Sequence, residues 1–384
     1  MSNRFILNET AYFGAGAREN LVPEIRSKGL SKILFVTDQV LIDCGVATKV
    51  SDCMKEAGIP FETFHGIKAN PTIRNVQDGV SAFKAAGADG LVAVGGGSVM
   101  DTAKAIGIVV ANPEFSDVRS LEGVADTKKK SVPLIALPTT SGTAAEVTIN
   151  YVITDEENKK KMVCVDPKDI PVVAIVDSDL MMGMPKGLCA STGMDALTHA
   201  IEGYITKGAW ALSDMVELRA IELIHKSLYD SVAGDPKARE TMALAQYVAG
   251  MGFSNVGLGI VHSMAHPLGA FYDTPHGVAN ALLLPYVLEY NAESAAKPKY
   301  RAIAKAMGVE GTEELTEDEA VKAAIDAVRA LSLSIDIPQK LHEIGVKEED
   351  LETLSQAAFN DVCTGGNPRD TSPADILEIY KKAY

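Results

Sequence analysis

Three of the chain's seven histidines lie within the 20 residues "VHSMAHPLGAFYDTPHGVAN", which span positions 261–280. They are His262, His266 and His276, and the first two are four residues apart. Imidazole binds transition metals and exchanges protons near neutral pH. Residues four apart on a helix project from the same face. The segment therefore predicts a metal site, a proton-transfer site, or both.

A second segment repeats this spacing with a carboxylate. "TGMDALTHAIEG" places Asp195 four residues before His199. One carboxylate and three or four imidazoles, with no thiolate, suit a divalent transition metal. The alternative is that these helices carry incidental histidines that cap a helix or lie satisfied in the core. We favour the metal, and we expect the remaining histidines to be surface or structural residues: His65, His225 and His342.

The stretch "LVAVGGGSVMDTAKAIG" is typical of a strand, a glycine turn and a helix. Gly95, Gly96 and Gly97 would let the backbone approach a phosphate, and the helix beginning near Ser98 would direct free N–H groups at it. A structural turn, with Ser98 or Asp101 serving the helix start, fits the same residues. The pattern is not the G-x-G-x-x-G fingerprint, so both interpretations stay open.

Two weaker signals accompany the glycine turn. Asp38 closes "ILFVTD", where a carboxylate could bind a ribose and repel a 2′-phosphate, favouring NAD over NADP. Because Asp38 precedes the glycines, an ordinary strand-end aspartate is the better interpretation from position alone. The segment "LPTTSGTAAEVT" offers hydroxyl groups that could hold phosphate or a nicotinamide amide, or cap the next helix; they belong to Thr139, Thr140 and Thr143.

The elements that must position these residues change character along the chain. Buried strands are predicted by four short apolar runs, at 32–38, 89–97, 132–140 and 171–179, with helical patterns between them. After residue 184 the apolar residues follow helical spacing. We predict an α/β N-terminal dinucleotide-binding domain with a parallel sheet (1–184). An all-α C-terminal metal-binding and substrate domain (185–384) should follow, with a ligand in the cleft between domains.

Composition narrows the class of protein. A net charge of -15 and a pI near 5.0 argue against a nucleic-acid or anionic-membrane partner. Five scattered cysteines without a CxxC motif indicate reduced thiols. We see no secretion signal and no transmembrane run. We therefore expect a cytoplasmic protein acting on a small molecule.

Taken together, the motifs resemble those of the iron-containing (group III) alcohol dehydrogenases over essentially the whole chain. The resemblance rests on "GGGSVMDTAKAIG", "PTTSGTAAEVT", "GMDALTHAIEGY" and "HSMAHPLGAFYDTPHGVAN", with "FSNVGLG" and "DVCTGGNPR" in support. It implies Fe(II) bound by four side chains, those of Asp195, His199, His262 and His276. It makes His266 a non-ligand beside the metal. One turn from a ligand, His266 is expected to be a catalytic residue that relays the alcohol proton, and the alternative is that it only shapes the pocket.

The resemblance also implies an NAD(H) site. Its pyrophosphate would lie at Gly95, Gly96, Gly97 and Ser98, and its adenosine ribose at Asp38. Further residues along the cofactor would be Thr139, Thr140, Thr143 and Lys161. The substrate pocket would be lined by Asn150, Phe253 and Cys363, and Val152 would adjoin both cofactor and pocket.

The implied activity is NAD(H)-dependent, Fe(II)-assisted hydride transfer between lactaldehyde and 1,2-propanediol. The family also implies a homodimer with "NRFILNETAYFG" at its interface. Alternatives are a related dehydrogenase for 1,3-propanediol, ethanol or butanol, and zinc or another divalent metal in place of iron. A lyase of the dehydroquinate synthase type is disfavoured, because the segments around the metal set contain almost no Lys or Arg. A non-enzymatic dinucleotide-binding protein would not explain the aspartate and histidines.

Overall fold

The computed structural model describes residues 2–384, which form two compact units. The first comprises the chain up to Thr140 together with Ala144–Gly183, and the second comprises Ser141–Thr143 and Met184–Tyr384. The sequence predicted one boundary, after residue 184, with residues 141–143 in the first domain; in the structure the units change at residues 183–184, and residues 141–143 belong to the second unit. Residues 141–143 belong to the second unit because Gly142 packs closely against Thr192 of that unit. A methyl group on Gly142 would come within 2.8 Å of Thr192 Cβ.

The first unit contains a six-stranded parallel sheet. Its strands are β1 (Thr10–Phe13), β2 (Ile33–Val36), β3 (Phe61–Phe64), β4 (Gly90–Gly95), β5 (Leu134–Pro138) and β8 (Val173–Val176). Their order across the sheet is β1-β8-β5-β4-β2-β3. The four predicted strands are β2, β4, β5 and β8, and the parallel α/β prediction is confirmed. β1 and β3 were missed, because these edge strands are short and only partly buried.

Helices cover both faces of this sheet. They are α1 (Leu21–Ser27), α2 (Gln39–Asp43), α3 (Val46–Glu56), α4 (Ile73–Ala86) and α5 (Gly97–Ala111). Alternate residues of β2 enter different apolar clusters: Leu34 packs in the cluster that includes α4 and α5, and Phe35 in the one that includes α1 and α3. Burial on both faces explains why the central strands are continuous apolar runs in the sequence.

An antiparallel hairpin completes the first unit, formed by β6 (Asn150–Asp155) and β7 (Lys160–Val165). No element was predicted here. Alternate β6 residues are buried, as expected of a strand with one covered face. The hairpin contains three of the proposed ligand-binding residues: Asn150, Val152 and Lys161.

The second unit is helical, and no strand occurs in residues 141–143 or 184–384. Its helices are α6 (Lys186–Ile205), α7 (Ala211–Ala233), α8 (Pro236–Val256), α9 (Ile260–Tyr272), α10 (His276–Asn291), α11 (Tyr300–Ala306), α12 (Glu317–Ser334), α13 (Leu351–Phe359) and α14 (Pro373–Ala383). The prediction of an all-α second domain is confirmed. Across residues 2–384 no single helix has the length and hydropathy of a membrane span, although α8 and α9 pass that test together across a 102° bend. All five cysteines are free.

Candidate active site

Helix α6 brings polar side chains into the apolar core of the second unit. Residues 193–205 of α6 are all buried, including Asp195, His199 and Glu202. These three lie at positions i, i+4 and i+7, so they project from one face of the helix. A buried charged or polar group is unfavourable unless it is paired, hydrogen-bonded or bound to a metal. This face of α6 is therefore the first candidate for a functional site.

Helices α9 and α10 provide the remaining histidines. His262 and His266 lie one turn apart on α9, and both are buried. His276 is the first residue of α10. The rings of His262 and His199 stack with centroids 4.5 Å apart, and those of His262 and His276 lie 5.3 Å apart. The structure thus brings together segments that are about 60 to 80 residues apart in the sequence.

The four predicted metal ligands converge. One potential ligand atom from each of Asp195, His199, His262 and His276 lies within 4.8 Å of every other. Three of these ligand atoms surround a single nitrogen atom, Asn280 Nδ2. This nitrogen lies 2.7 Å from Asp195 Oδ1, 3.1 Å from His262 Nε2 and 3.0 Å from His276 Nε2. A single electropositive group can therefore contact three of these acceptors at once.

Electrostatics also suit a metal. Burial lowers the pKa of His199, with Asp195 opposing the change. Burial lowers the pKa of His262 well below its ordinary value, and the neighbouring His199 and His266 lower it further. A metal binds neutral imidazole, so the environment favours the form that can coordinate. His199 Nδ1 is buried and has no hydrogen-bond partner within residues 2–384, as expected of an atom reserved for a cation. The nitrogen and oxygen donors fit a divalent transition metal.

His266 lies beside this set and has a different partner. Its ring stacks on that of His276 with centroids 5.4 Å apart. Its Nδ1 lies 2.7 Å from Asp361 Oδ2. Burial by itself would raise the pKa of Asp361, but the charge and hydrogen bond of His266 lower it to about 2. Asp361 is therefore ionised, and it leaves His266 Nε2 as the nitrogen that can exchange a proton.

The predicted substrate residues are divided between the units. Phe253 on α8 stacks on His199, with ring centroids 4.2 Å apart and planes 12° apart. Cys363 follows Asp361 and forms a close group with Asp361 and His266. Burial raises the pKa of the Cys363 thiol well above its ordinary value, which keeps it uncharged. Asn150 belongs to the first unit, where its carbonyl accepts a hydrogen bond from Lys104.

The glycine turn stands at the carboxyl end of the parallel sheet. Gly95 ends β4, Gly96 is the N-cap of α5, and Gly97 is the first residue of that helix. No side chain caps α5, so the first-turn N–H groups can face a phosphate. A methyl group on Gly95 would come within 2.5 Å of Val99, and one on Gly96 within 3.3 Å of Thr140. None of the three glycines has a positive φ angle, so the need for glycine at positions 95 and 96 comes from this close packing.

Asp38 and Thr139 lie at the same edge of the sheet as the glycine turn. Asp38 lies just beyond β2, which pairs with β4, so it neighbours the strand that carries the glycines. Its side chain accepts a hydrogen bond from Leu41 N at 2.9 Å and caps α2. Thr139 N donates to Gly95 O at 3.0 Å. Ligands bind at the carboxyl ends of strands in such sheets, and Asp38, Gly95 and Thr139 lie at the carboxyl ends of β2, β4 and β5.

The other predicted cofactor residues have defined surroundings. Ser98 Oγ donates to Ala69 O, and Lys161 Nζ donates to Asn70 Oδ1 at 2.7 Å. The loop at 69–70 therefore touches two predicted cofactor residues, which adds Asn70 as a candidate. Val152 N donates to Asp101. Thr143 falls in the second unit.

Sequence reasoning missed three residues beside the histidines: Glu202, Asn280 and Asp361. Glu202 had a signal, because it extends the Asp195–His199 spacing by one further turn. Asn280 likewise lies four residues after His276. Asp361 begins the motif "DVCTGGNPR", but no spacing connects it with His266, which lies 95 residues away in the sequence.

Comparison with known proteins agrees with this geometry. Residues 8–178 match the family "Iron-containing alcohol dehydrogenase", and residues 189–384 match "Fe-containing alcohol dehydrogenase family, C-terminal". The chain is 59% identical over 384 residues to lactaldehyde reductase of Escherichia coli (strain K12), covering all of both chains. It is 41% identical to 1,3-propanediol dehydrogenase of Citrobacter freundii, covering 99% of this chain and 98% of the relative. The crystal structure of a 1,3-propanediol oxidoreductase superposes over 100% of both chains with a TM-score of 0.96 and 40% identity.

The chain belongs to the iron-containing alcohol dehydrogenase family. It is an enzyme of the oxidoreductase class, and the family uses a metal and NAD(H). Between the enzyme classes that the sequence left open, the comparisons therefore select the alcohol dehydrogenase over the lyase.

Proposed function

We propose that this enzyme interconverts lactaldehyde and 1,2-propanediol, with NAD(H) as the hydride carrier and Fe(II) at the site of Asp195, His199, His262 and His276. The observation that carries the proposal is the convergence of these four buried side chains beside a fifth, His266, that has its own carboxylate partner. The choice of substrate is supported by the 59% identity to a lactaldehyde reductase over the full chain.

The proposed metal supplies one kind of chemistry. When bound, a divalent cation acts as a Lewis acid that lowers the pKa of an alcohol hydroxyl and polarises an aldehyde carbonyl. Iron is supported by the family to which the chain belongs. The same donors also suit zinc, cobalt or manganese, and zinc generally binds such sites more tightly than Fe(II). Metal supply would therefore decide which ion is present.

His266 moves the substrate proton in this proposal. Its Nδ1 is held by Asp361, so Nε2 accepts the alcohol proton in one direction and donates it in the other. The ionised Asp361 keeps the ring in one orientation and one tautomer, and it stabilises the charged imidazolium when the proton is held. Residues Phe253 and Cys363 provide uncharged walls, which favour a short, neutral aldehyde over an anionic substrate.

The glycine turn would hold the nicotinamide dinucleotide. The open first turn of α5 suits its pyrophosphate, and Asp38 at the end of β2 suits the adenosine ribose. Hydride transfer requires nicotinamide C4 next to the carbon that bears the reacting oxygen. We assign the remaining cofactor contacts to Thr139, Thr140, Thr143, Val152 and Lys161.

The test is NADH oxidation by anaerobically purified protein with added Fe(II), with lactaldehyde, propanal and 3-hydroxypropanal compared on one sample. The proposal predicts that lactaldehyde is reduced with the highest kcat/KM. Equal kcat/KM for all three would reject the specific substrate and keep the alcohol dehydrogenase. A preference for 3-hydroxypropanal would instead support a 1,3-propanediol enzyme, which the 41% identical relative and the superposed oxidoreductase make the second candidate.

A homodimer formed through residues 3–14 is the assembly that we propose. β1 lies at an edge of the sheet and pairs with β8 alone among the described strands. Two apolar side chains of this segment are exposed, Leu7 by 39% and Phe13 by 46%. An exposed strand edge with apolar side chains favours pairing with another chain. Light scattering should give twice the 40.7 kDa chain mass, and a monomer would reject this interface.

A further inference from the structure

A second buried carboxylate supports the metal set without belonging to it. Glu202 Oε2 lies 2.6 Å from His262 Nδ1, and both side chains are 2% exposed. Glu202 Oε1 accepts a hydrogen bond from Val261 N at 2.7 Å. The group of converging ligand atoms contains Asp195 as its only carboxylate. Glu202 therefore contacts a ligand from the side opposite to the proposed metal.

This contact determines which nitrogen of His262 is available. A neutral imidazole carries one proton, and the nitrogen without it has the lone pair that a metal needs. A carboxylate at Nδ1 holds the proton there, so the lone pair lies on Nε2. His262 Nε2 is the atom that already faces Asn280, together with Asp195 Oδ1 and His276 Nε2. The tautomer fixed by Glu202 is thus the one that can coordinate.

The contact also matters for charge. Three neutral imidazoles and one carboxylate leave a bound dication with one uncompensated positive charge in a buried site, which is unfavourable. A carboxylate hydrogen-bonded to a ligand compensates that charge and makes the imidazole a better donor. Glu202 Oε2 lies within hydrogen-bond distance of a ligand histidine, at 2.6 Å from His262 Nδ1, and so is placed to do both.

We propose that Glu202 is a positioning residue of the metal centre, which fixes the coordinating tautomer of His262 and balances the second positive charge of the metal. The inference rests on the metal ligands proposed above. It assigns no contact with the substrate to Glu202, so removal of its charge should weaken metal binding itself.

A purely structural role is the competing explanation. Glu202 also accepts hydrogen bonds from the first turn of α9, and a methyl group on Gly259 would come within 2.9 Å of Glu202 Oε1. Glu202→Gln separates the two roles. Its amide oxygen can still accept from Val261 N, but the charge is lost and the side chain no longer ensures that His262 carries its proton on Nδ1.

The experiment measures Co²⁺ and Zn²⁺ affinity by chelator competition on full-length protein that has been stripped of metal. Glu202→Gln should bind each ion about 10- to 100-fold more weakly than the wild type. The matched control is Asp361→Asn, which removes the equivalent carboxylate from His266, a residue outside the ligand set, and should lower both affinities much less than Glu202→Gln does. A Glu202→Gln variant with wild-type affinities and a lowered melting temperature would show that Glu202 acts only on the fold and would overturn the proposal.

A second measurement uses the wild-type protein, so it does not depend on the folding of a variant. In zinc-loaded wild-type protein with ¹⁵N-labelled histidine, His262 should show a protonated Nδ1 and a metal-bound Nε2. An unprotonated Nδ1 would contradict the role of Glu202. The His262→Ala variant separates an error in the ligand set from an error in the role of Glu202. If His262→Ala binds metal as tightly as the wild type, the ligand set itself is wrong. An unchanged metal affinity of Glu202→Gln alone rejects only this inference.

Discussion

His266 Nδ1 and Asp361 Oδ2 lie 2.7 Å apart although the two residues are separated by 95 positions in the sequence. One turn earlier on α9, His262 Nδ1 has the same kind of partner in Glu202. The two histidines thus share an orientation mechanism and differ in their proposed tasks. In the proposed function, His262 would present Nε2 to the metal, and His266 would present Nε2 to the substrate.

Removal of the imidazole at position 266 should slow proton transfer and leave metal binding intact. His266→Ala should lower kcat by about 10²- to 10⁴-fold at saturating substrate. Asp361→Asn should lower kcat less, because the ring remains but its tautomer is no longer fixed. The measurement is kcat from about pH 6 to 9, which spans neutral pH, with metal content determined on each sample. Wild-type turnover of His266→Ala throughout that range would exclude the proton relay.

The charge of Asp38 should set the choice between NADH and NADPH. Asp38→Ser retains a side-chain oxygen that can cap α2, and it removes the carboxylate that would repel a 2′-phosphate. We expect kcat/KM for NADPH to rise relative to NADH. Asp38→Ala is the control for the helix cap, whose loss costs about 1 kcal/mol. An unchanged cofactor preference in both variants would remove Asp38 from the ribose site.

Two neighbouring glycines should respond differently to a methyl group. Gly95→Ala would bring Cβ within 2.5 Å of Val99, so it should lower the melting temperature. Gly96→Ala meets Thr140 only at 3.3 Å, and we expect it to weaken NADH binding with a much smaller loss of stability. Thermal melting and NADH titration together distinguish these effects. Normal NADH affinity of Gly96→Ala would indicate that the turn is structural.

Stability should depend on pH through Glu217, which lies on α7. A methyl group on Gly203 or Gly252 would come within 2.2 Å of Glu217 Oε1, so the carboxyl lies against both glycines. Burial raises the pKa of Glu217 well above 4.5, Asp214 adds to the rise, and the backbone of Phe253 opposes it. The folded state therefore retains the proton to higher pH than the unfolded state. The free energy of unfolding should decrease as pH rises above about 4.5 towards the folded-state pKa.

Glu217→Gln remains uncharged, so its melting temperature should fall less than that of the wild type over this pH range. The control is Glu222→Gln on the same helix, where Lys226 and Arg219 lower the pKa of Glu222. Glu222 is already ionised in both the folded and the unfolded state over that range. The melting temperature of Glu222→Gln should therefore change with pH as steeply as that of the wild type. Parallel curves for Glu217→Gln and the wild type would show that Glu217 is not protonated in the folded protein.

Sequence patterns correctly predicted the strands that are buried along their whole length. β2, β4, β5 and β8 are buried along their whole length, so each is a continuous apolar run. β1 and β3 were missed because edge strands of four residues carry mixed residues. The β6–β7 hairpin was missed because the residue types of β6 do not follow its burial: Val152 lies on the less buried face, and the buried face includes Asp155. Periodicity detects a helix or strand when its residue types follow the burial of the positions along it.

The residues of the candidate site also divide into those that sequence patterns predicted and those that they missed. The i, i+4 spacings drew attention to Asp195, His199, His262 and His266, because helical geometry alone determines which of them share a face. Asp361 could not be found by that route, since the tertiary arrangement of α9 and the segment after α13 creates its contact. Glu202 could have been found, because it lies on the same face of α6, but spacing does not reveal which partner it has.

The most direct test of the metal-dependent mechanism compares the wild type with His262→Ala, both loaded with Fe(II) under anaerobic conditions. We predict one bound metal per wild-type chain and NADH oxidation led by lactaldehyde. His262→Ala should be folded, with little bound metal and no measurable turnover. Equal lactaldehyde reduction by both proteins, or full activity of the wild type after its metal has been removed by a chelator, would contradict the account.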